Sequence, residues 1–600
     1  MQPKNSIPTP LFDGEERAPV RIVAARRPRP LRGGQIAFSA VRVAFVWLLA
    51  LLRRRASGRD HTSDVAVAVR VTLERLGGLW IKAGQLLAMR RDLFPEAFCT
   101  ELSFLQDSAF GFPASHVRAI IEAESGAPLE HLYSRFDPVP IAAASIGQVH
   151  RARLRRNGVD VAVKVQRPYV ELVMHRDLRF IRRCARLLER CSILPHARWL
   201  EMVWELDNIM RNETDYRVEA SFIRRMRVVL KGHDVYAPKV FRRESSRRVL
   251  VMEFIRGVFM TEFIRAAETD PPRLRAWMAE NRIKAGLVGR RLYETHTRQV
   301  FEDNLFHCDL HPGNIVLLRD SRLALIDFGS IGSIDRSKLK KYYVIFQAMG
   351  QGDYTKAAEV FLLLGPPLRP VRVQDVKADI VRTLRQWEVR VAVERLSYHE
   401  RSLTYAMQGI ANVYRQHRIG LGWEFMQVNR AEVTMDASLA YLLPRINYHE
   451  MIRRYERAAR RRELHRAASG PAMLDRVVGL VSILDVAANL AENTFYESER
   501  LRNQLTTFDS NVTVAGLVLS TGVVLLSRLS LAAAVVVLLS FVQDVYPNRA
   551  TGVVDAIMAA TFGRMQGTWR LLLLVGLVMA FVAFRRLSQK ITALSTYPAR

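Results

Sequence analysis

An alternating run, V-A-V-K-V at residues 161–165, places a single lysine, Lys164, on a strand of otherwise apolar residues. Further elements follow in chain order. Glu219 stands in a helical stretch, and a buried strand runs into M-E-F-I at 252–255. H-C-D-L-H-P-G-N holds Asp309 five residues before Asn314, and L-I-D-F-G sets Asp327 at a strand end thirteen residues after Asn314. An ammonium on a rigid strand suits the α- and β-phosphates of a nucleoside triphosphate, and a carboxylate such as Glu219 keeps it extended. Magnesium takes hard oxygen ligands and retains waters, so one Asp and one Asn suffice, here Asp327 and Asn314. Asp309 stands at the offset of a catalytic base, able to accept a hydroxyl proton or orient a water. The backbone around Glu253 and Ile255 can serve as a hinge that meets an adenine. The order of these parts is that of a kinase-type site, with ATP or ADP and Mg²⁺ as the implied cofactors.

Each part alone has a plain alternative. Lys164 could be an exposed strand residue, and Asp309 and Asn314 could be turn residues around Pro312-Gly313. His307 and His311, four apart, have the spacing of metal ligands, but no third ligand is visible, and structural or loop-packing roles are preferred. The conjunction in one order carries the reading. The loop before the lysine strand holds Ala142, Ala143, Ala144 and Ser145, with Gln148 just beyond, where a kinase would place glycines. Glycines bend over phosphates and bring backbone N–H groups close, whereas alanines restrict the loop, so a stiffer loop is predicted here.

The elements that position these residues follow from periodicity. Residues 61–135 are helix-rich. Residues 146–166 read as a β-hairpin turning at Asn157-Gly158. Residues 169–230 are mostly helical, 248–254 form a buried strand, 256–345 mix helix and loop, and 346–466 are helical. The last region ends in a basic run from Met451 to Arg466, which is either a solvated helix face or a surface for anionic lipid. There are no internal repeats.

The chain has 600 residues, 49% of them hydrophobic, enough for two or more cores, and a formal charge of +30. Arginine is spread along the whole length without basic runs interleaved with aromatics, so nucleic acid is an unlikely partner. Four scattered cysteines (Cys99, Cys184, Cys191, Cys308) make neither a disulfide framework nor a CxxC site and fit a reducing compartment. Residues 1–34 are rich in Pro and Arg and are predicted to be a disordered basic tail. Residues 35–60 read as an interfacial or packed helix. Residues 467–600 read as a membrane-anchoring region. Residues 512–542 hold one charge, Arg528, and as a helix would run roughly 46 Å. The apolar stretch 571–584, flanked by Arg570, Arg585 and Arg586, gives a second candidate span at 569–586. The flanking charges favour a hairpin with both ends in the cytoplasm. Two core helices of a soluble domain are the alternative.

The segment L-G-G-L-W-I-K-A-G-Q-L-L-A-M-R-R-D-L-F-P, residues 76–95, is absent from ordinary protein kinases. It resembles the K-x-G-Q signature of the UbiB family, the atypical kinase-like proteins associated with ubiquinone biosynthesis. A-A-A-S-I-G-Q-V-H resembles that family's alanine-rich nucleotide loop, E-T-D-Y-R-V-E-A its E-x-D motif and following glutamate, and H-C-D-L-H-P-G-N its catalytic loop, with Cys308 and Leu310 departing at non-ligand positions. Phe222 departs where many relatives carry Asn. The resemblance covers about residues 61–345 and implies an α+β, protein-kinase-like bilobal fold: an N-terminal helical extension (61–135), an N-lobe (136–256), a helical C-lobe (257–466) and C-terminal transmembrane helices. It implies a lid over the active site in which Lys82 and Gln85 approach the nucleotide and Lys82 engages Glu213 or Asp215. It further implies a membrane-anchored ATPase or atypical kinase serving ubiquinone or related isoprenoid lipid synthesis, at the bacterial inner membrane with its kinase-like domain facing the cytoplasm. Partners would be membrane lipid, quinone intermediates and quinone-biosynthesis proteins, and a homodimer is left open. A small-molecule or lipid kinase with another client, and a nucleotide-binding scaffold without turnover, remain the alternatives.

Overall fold

The structure, a computed structural model, describes residues 7–12, 62–105, 111–144, 146–191, 197–364, 373–393, 395–468, 523–535 and 567–594, with Val20, Ile22, Val23, Ile36 and Val537 singly. The chain divides into two compact units. One comprises residues 1–183 and 200–460, the other residues 184–199 and 461–600.

In the first unit three helices open the described chain, α1 (Thr62–Leu76), α2 (Leu79–Ala88) and α3 (Glu96–Ser103). They close around Leu73, Leu102 and Leu105. Gly84 of α2 is required by this packing, because a methyl group there would lie 2.2 Å from Leu105 Cδ1 and 2.7 Å from Leu73 Cδ1. Helices α4 (Ala114–Ser125) and α5 (Leu129–Leu132) lead into β1 (Tyr133–Phe136), β2 (Ala142–Ala143), β3 (Gly147–Leu154) and β4 (Asp160–Gln166). Gly158 takes the positive φ (65°) that the β3–β4 turn demands, as expected of Asn157-Gly158. After α6 (Val170–Arg190), α7 (Trp199–Glu213) and α8 (Tyr216–Lys231), strand β5 (Val249–Glu253) completes an antiparallel sheet in the order β1-β3-β4-β5, with β2 also paired to β3.

Alternation along β4 sorts its two faces. Val161, Val163 and Val165 turn into a core with Val117, Ile120 and Ile121 of α4, which leaves Ala162 and Lys164 on the other face. The sheet's core therefore reaches back to α4, so the N-lobe begins near residue 111, before the boundary at 136 expected from the sequence.

The C-lobe follows β6 (Val258–Phe259) with α9 (Met260–Thr269), α10 (Pro271–Glu280) and α11 (Ala285–Phe301). Next come β7 (Phe306–His307), β8 (Ile315–Leu318), β9 (Arg322–Leu325) and β10 (Ile331–Gly332), forming a three-stranded β6-β8-β9 sheet and a β7-β10 pair. Helices α12 (Arg336–Gln351), α13 (Tyr354–Leu362), α14 (Val373–Ala392), α15 (Tyr398–Arg401), α16 (Leu403–Gln416), α17 (Trp423–Leu442) and α18 (Tyr448–Ala468) close on a core that includes Trp387, Tyr414 and Tyr448.

Two expectations need correction. The N-terminal 34 residues are not uniformly a disordered tail. Leu11 is buried in the C-lobe core, Thr9 N–H donates to Asn281 Oδ1 (2.9 Å), and Trp277 Nε1 donates to Thr9 O (2.8 Å). Leu11 and Phe12 dock residues 7–12 on the C-lobe, with Arg265 and Arg273 over the Phe12 ring at 4.1 and 5.1 Å, which composition alone does not reveal. Nor are transmembrane helices found: among the described residues, no helix is long and apolar enough to cross a membrane. The second candidate span lies in α19 (Gly567–Leu594). Its uninterrupted apolar stretch, 571–584, rises only about 21 Å against a bilayer core of about 30 Å. Of the first span only 523–535 and Val537 are described, as helix. Residues 35–60, Ile36 apart, lie outside the described residues.

The N-terminal helices are locked to the C-lobe by a buried pair. Arg90 contacts Asp92 through Nε and Nη2, both at 2.8 Å, and Asp92 Oδ2 also accepts from Leu421 N–H at 3.0 Å. Asp92→Ala removes the carboxylate facing a buried guanidinium and takes the acceptor from the Leu421 N–H, so the folding free energy is expected to drop by about 3–5 kcal/mol. Urea unfolding of the variant measures it, and faster proteolysis between residues 62 and 105 is the accompanying sign.

Candidate active site

Lys164 projects from β4 toward α8, where Nζ donates to both oxygens of Glu219, each at 2.9 Å. Asp327 Oδ2 stands 3.7 Å from the same ammonium. Burial works against the Lys164 charge, yet Asp327 and Glu219 outweigh it and hold the ammonium well above its ordinary range. Burial likewise opposes ionisation of Asp327, but Lys164, the Gly329 N–H (2.8 Å to Oδ1), His307 and Lys82 hold this carboxyl below its usual value. Burial pushes the Glu219 carboxyl up while Lys164 pulls it down, and the bidentate contact marks the pair as ionic. Asp327 keeps 46% of its side-chain surface accessible, so this carboxylate stays open to a ligand beside a half-buried cation.

The catalytic-loop residues are braced through His307. Its Nδ1 accepts from Asp309 N–H at 3.0 Å, and its Nε2–H donates to the Asp327 carbonyl. Both ring nitrogens are therefore taken, which fixes a neutral tautomer. Burial pulls the imidazole below its ordinary pKa, against the pull of Asp309 and Asp327. This is the structural role the sequence favoured. His311 caps the turn Pro312–Asn314, accepting from Gly313 N–H at 3.1 Å. No group of three or more His, Cys, Asp or Glu side chains arranged for a metal occurs among the described residues. Asn314 Nδ2 donates to Asp309 O at 3.0 Å and leaves Oδ1 as the end available to a ligand.

Asp309 is not alone, as its Oδ2 accepts from Arg430 Nη2 at 2.9 Å. Arg430 lies on α17, 121 residues away, and nothing local in the sequence signals it. Tyr216 was also missed. Its ring sits 5.4 Å from Lys164 Nζ, and its hydroxyl packs so close to Gly147 that a methyl group there would lie 2.3 Å away. Only glycine permits that approach.

The loop residues divide. Ala142 and Ala143 pair with Val149 and Gln148 across β3, and Ala144 N–H closes a turn onto Gly147 O at 2.7 Å. The alanines thus belong to a strand and its turn. Arg167, another residue not anticipated, reaches Ala144 O at 3.4 Å. Ser145 lies outside the described residues. Gln148, taken from sequence as a nucleotide contact, is fully buried. Its Oε1 accepts from Phe112 N–H (2.7 Å) and its Nε2 reaches Phe112 O (3.1 Å), so it ties strand β3 to the chain before α4. Glu253 turns its carboxylate inward to Tyr236 Oη (3.0 Å) and Lys239 N–H (3.2 Å), which leaves only backbone for a hinge role. Ile255 is buried beside β8.

In the K-x-G-Q segment Lys82 Nζ lies 3.2 Å from Glu213 Oε1. Asp215 instead caps α8 and binds Arg217 at 2.7 Å, so of the two acidic candidates Glu213 is the partner. Gln85 Nε2 donates to Leu105 O at 2.9 Å, and its Oε1 is buried without a partner. Trp80 Nε1 anchors the same helix to Asp177 at 3.0 Å.

Beneath the catalytic loop, His296 packs edge-on against Phe306 and stands 3.9 Å from Glu432. Burial lowers His296 to about 3 and raises Glu432 to about 8. Folded, the pair holds one proton from about pH 3 to 8. Unfolded, it holds one only between the ordinary values of 4.5 and 6.5. Above 6.5 the folded state binds more protons and stability falls with rising pH, whereas below 4.5 the unfolded state binds more and stability falls with falling pH, each at roughly 1.4 kcal/mol per unit. Glu432→Gln is expected to remove the alkaline loss between pH 6.5 and 8, read from the difference between wild-type and variant urea midpoints.

Residues 104–361 match the ABC1 atypical kinase-like domain family. A protein named "Probable protein kinase UbiB" from Erwinia tasmaniensis is 34% identical over 320 residues, 52% of this chain and 56% of that protein. One of the same name from Aeromonas salmonicida is 36% identical over 309 residues, 50% of this chain and 54% of that protein. The chain thus spans about half the length of the curated relatives it matches. A solved complex of Rv3197 with erythromycin from Mycobacterium tuberculosis superposes with a TM-score of 0.42 at 24% identity, covering 69% of this chain and 98% of that one, too loosely to carry an argument.

Proposed function

We propose, for a chain that belongs to the UbiB family of ABC1 atypical kinase-like proteins, that it binds an adenine nucleotide with Mg²⁺ and acts as an atypical kinase or ATPase supporting ubiquinone or related isoprenoid lipid synthesis. The observation that carries the reading is one half-buried ammonium, Lys164, held by Glu219 at 2.9 Å and facing Asp327 at 3.7 Å. The donor set fits the nucleotide. A half-buried cation suits phosphate, and an accessible carboxylate with the amide oxygen of Asn314 suits a hard divalent ion. Magnesium triphosphate supplies an activated phosphoryl group. For their part, Asp327 and Asn314 would hold the ion, Lys164 would orient the phosphates, the Glu253–Ile255 backbone would meet the base, and Asp309, positioned by Arg430, would take or direct a proton. The Lys82–Glu213 contact supports a lid that disfavours a protein substrate.

MgADP at a hundred times its dissociation constant is expected to stabilise the protein by about 2.7 kcal/mol. In Lys164→Ala the affinity is expected to fall on the order of tenfold to a hundredfold. Absence of any magnesium-dependent stabilisation would defeat the reading.

A place at the cytoplasmic face of a bacterial inner membrane belongs to the same proposal. Leu525, Leu529 and Leu531, and on α19 Val575, Val578 and Met579, are large apolar side chains 46–66% exposed, which a lipid phase would cover. The full chain is expected to float with anionic vesicles and to lose this when residues 505–600 are removed, and recovery of the full chain in the unbound fraction would contradict it.

A further inference from the structure

A cavity of about 240 Å³ lies outside the proposed nucleotide cleft, between the C-terminal end of α8 and the β8–β9 hairpin. Its floor is apolar, with Val235, Leu318 and Leu323 all buried. Its rim carries three cations, Arg227, Lys231 and Arg322. The carboxylate on the rim, Asp234, is engaged by Arg291 at 2.9 Å. Arg227 stacks on Tyr236 (5.0 Å to the ring) and donates to Ala237 O, so its guanidinium is fixed in place. Lys231 and Arg322 have no ion-pair partner among the described residues.

The walls are stitched together before any ligand arrives. Tyr236 N–H donates to Leu323 O at 3.0 Å, Leu325 N–H donates to Tyr236 O at 2.9 Å, and Tyr236 Oη reaches Glu253. Three like charges around one apolar hollow repel each other and are eased by an anion. The hollow is too small for a nucleotide or an acyl chain but accommodates a single ring or short branched body. An apolar floor beneath a cationic rim selects a molecule with both characters.

We propose that this cavity is a binding site for a small organic anion, a phosphate or carboxylate carried on a compact apolar body, held by Arg227, Lys231 and Arg322. The cavity stands on its own residues and does not depend on the nucleotide reading. Its walls nevertheless include the helix that carries Glu219 and the strand that leads to Asp327, so occupancy is coupled to the cleft wherever those elements move together, and any such coupling is reciprocal.

The test is calorimetric titration of the full chain with phenyl phosphate, inorganic phosphate and benzyl alcohol, each repeated with saturating MgADP and with the Lys164→Ala variant. Saturable phenyl phosphate binding is expected, at least tenfold tighter than either half-ligand, persisting with MgADP and in Lys164→Ala, and weakened at least tenfold in Lys231→Glu and in Arg322→Glu. Both sites are exposed or half-buried, so these variants are expected to fold, and unchanged unfolding midpoints check it. Equal binding of inorganic phosphate would reduce the site to a bare anion contact and overturn the proposal. So would displacement by MgADP, loss in Lys164→Ala, indifference to both charge reversals, or no binding.

Discussion

The contact between Lys164 and Glu219 is the constraint around which the rest is arranged. It joins the central strand of the N-lobe sheet to helix α8 through two charges withdrawn from water. Such a pair adds little net stability, since desolvation offsets most of the Coulomb attraction. It has to be held in place by neighbours. The valines of β4 on the opposite face press the strand onto α4, Asp215 caps the start of α8, and Gly147 lets Tyr216 close over the lysine. The fold supplies the packing, and the pair contributes position: one cation at a fixed point with an open carboxylate beside it.

From that point two braces extend to the C-lobe. His307 bonds the backbones of Asp309 and Asp327 together with one ring, so the loop bearing the candidate base and the strand end bearing the candidate metal ligand cannot shift independently. Arg430 reaches from α17 to hold Asp309 from the far side. The N-terminal helices add a third brace. Their buried Arg90–Asp92 pair grips Leu421 in the C-lobe while Lys82 grips Glu213 beside the N-lobe. The K-x-G-Q segment is thereby held to both lobes.

Much of this was legible in the sequence because the signals are local. Alternation around Lys164 gave the strand and its facing, Asn157-Gly158 gave the hairpin, and the spacing of Asp309, Asn314 and Asp327 gave the order of the site. What escaped depends on long-range contact. Arg430 is one arginine among many until the fold brings it to Asp309. Gln148 sits in a motif that points to nucleotide, yet its amide is satisfied by the backbone of Phe112, 36 residues earlier. Asp215 and Glu213 are equivalent as candidates until the start of α8 claims the first. Residues 7–12 sit in a Pro- and Arg-rich stretch, and only the fold shows that Leu11 and Phe12 within it pack on the C-lobe core. The apolar C-terminal segments were read from their length, low charge and flanking arginines, and the described helix keeps too short an uninterrupted apolar stretch to span.

The central claim is that Asp327 and Asn314, beside Lys164, form one divalent-ion site that exists only with a nucleotide. Electron paramagnetic resonance of Mn²⁺ titrated into the full chain with ATP tests this most directly. The account requires one tight Mn²⁺ per chain in the presence of nucleotide, abolished in Asp327→Asn and retained in Asp309→Asn. Mn²⁺ that binds equally without nucleotide, or that survives Asp327→Asn, would contradict it.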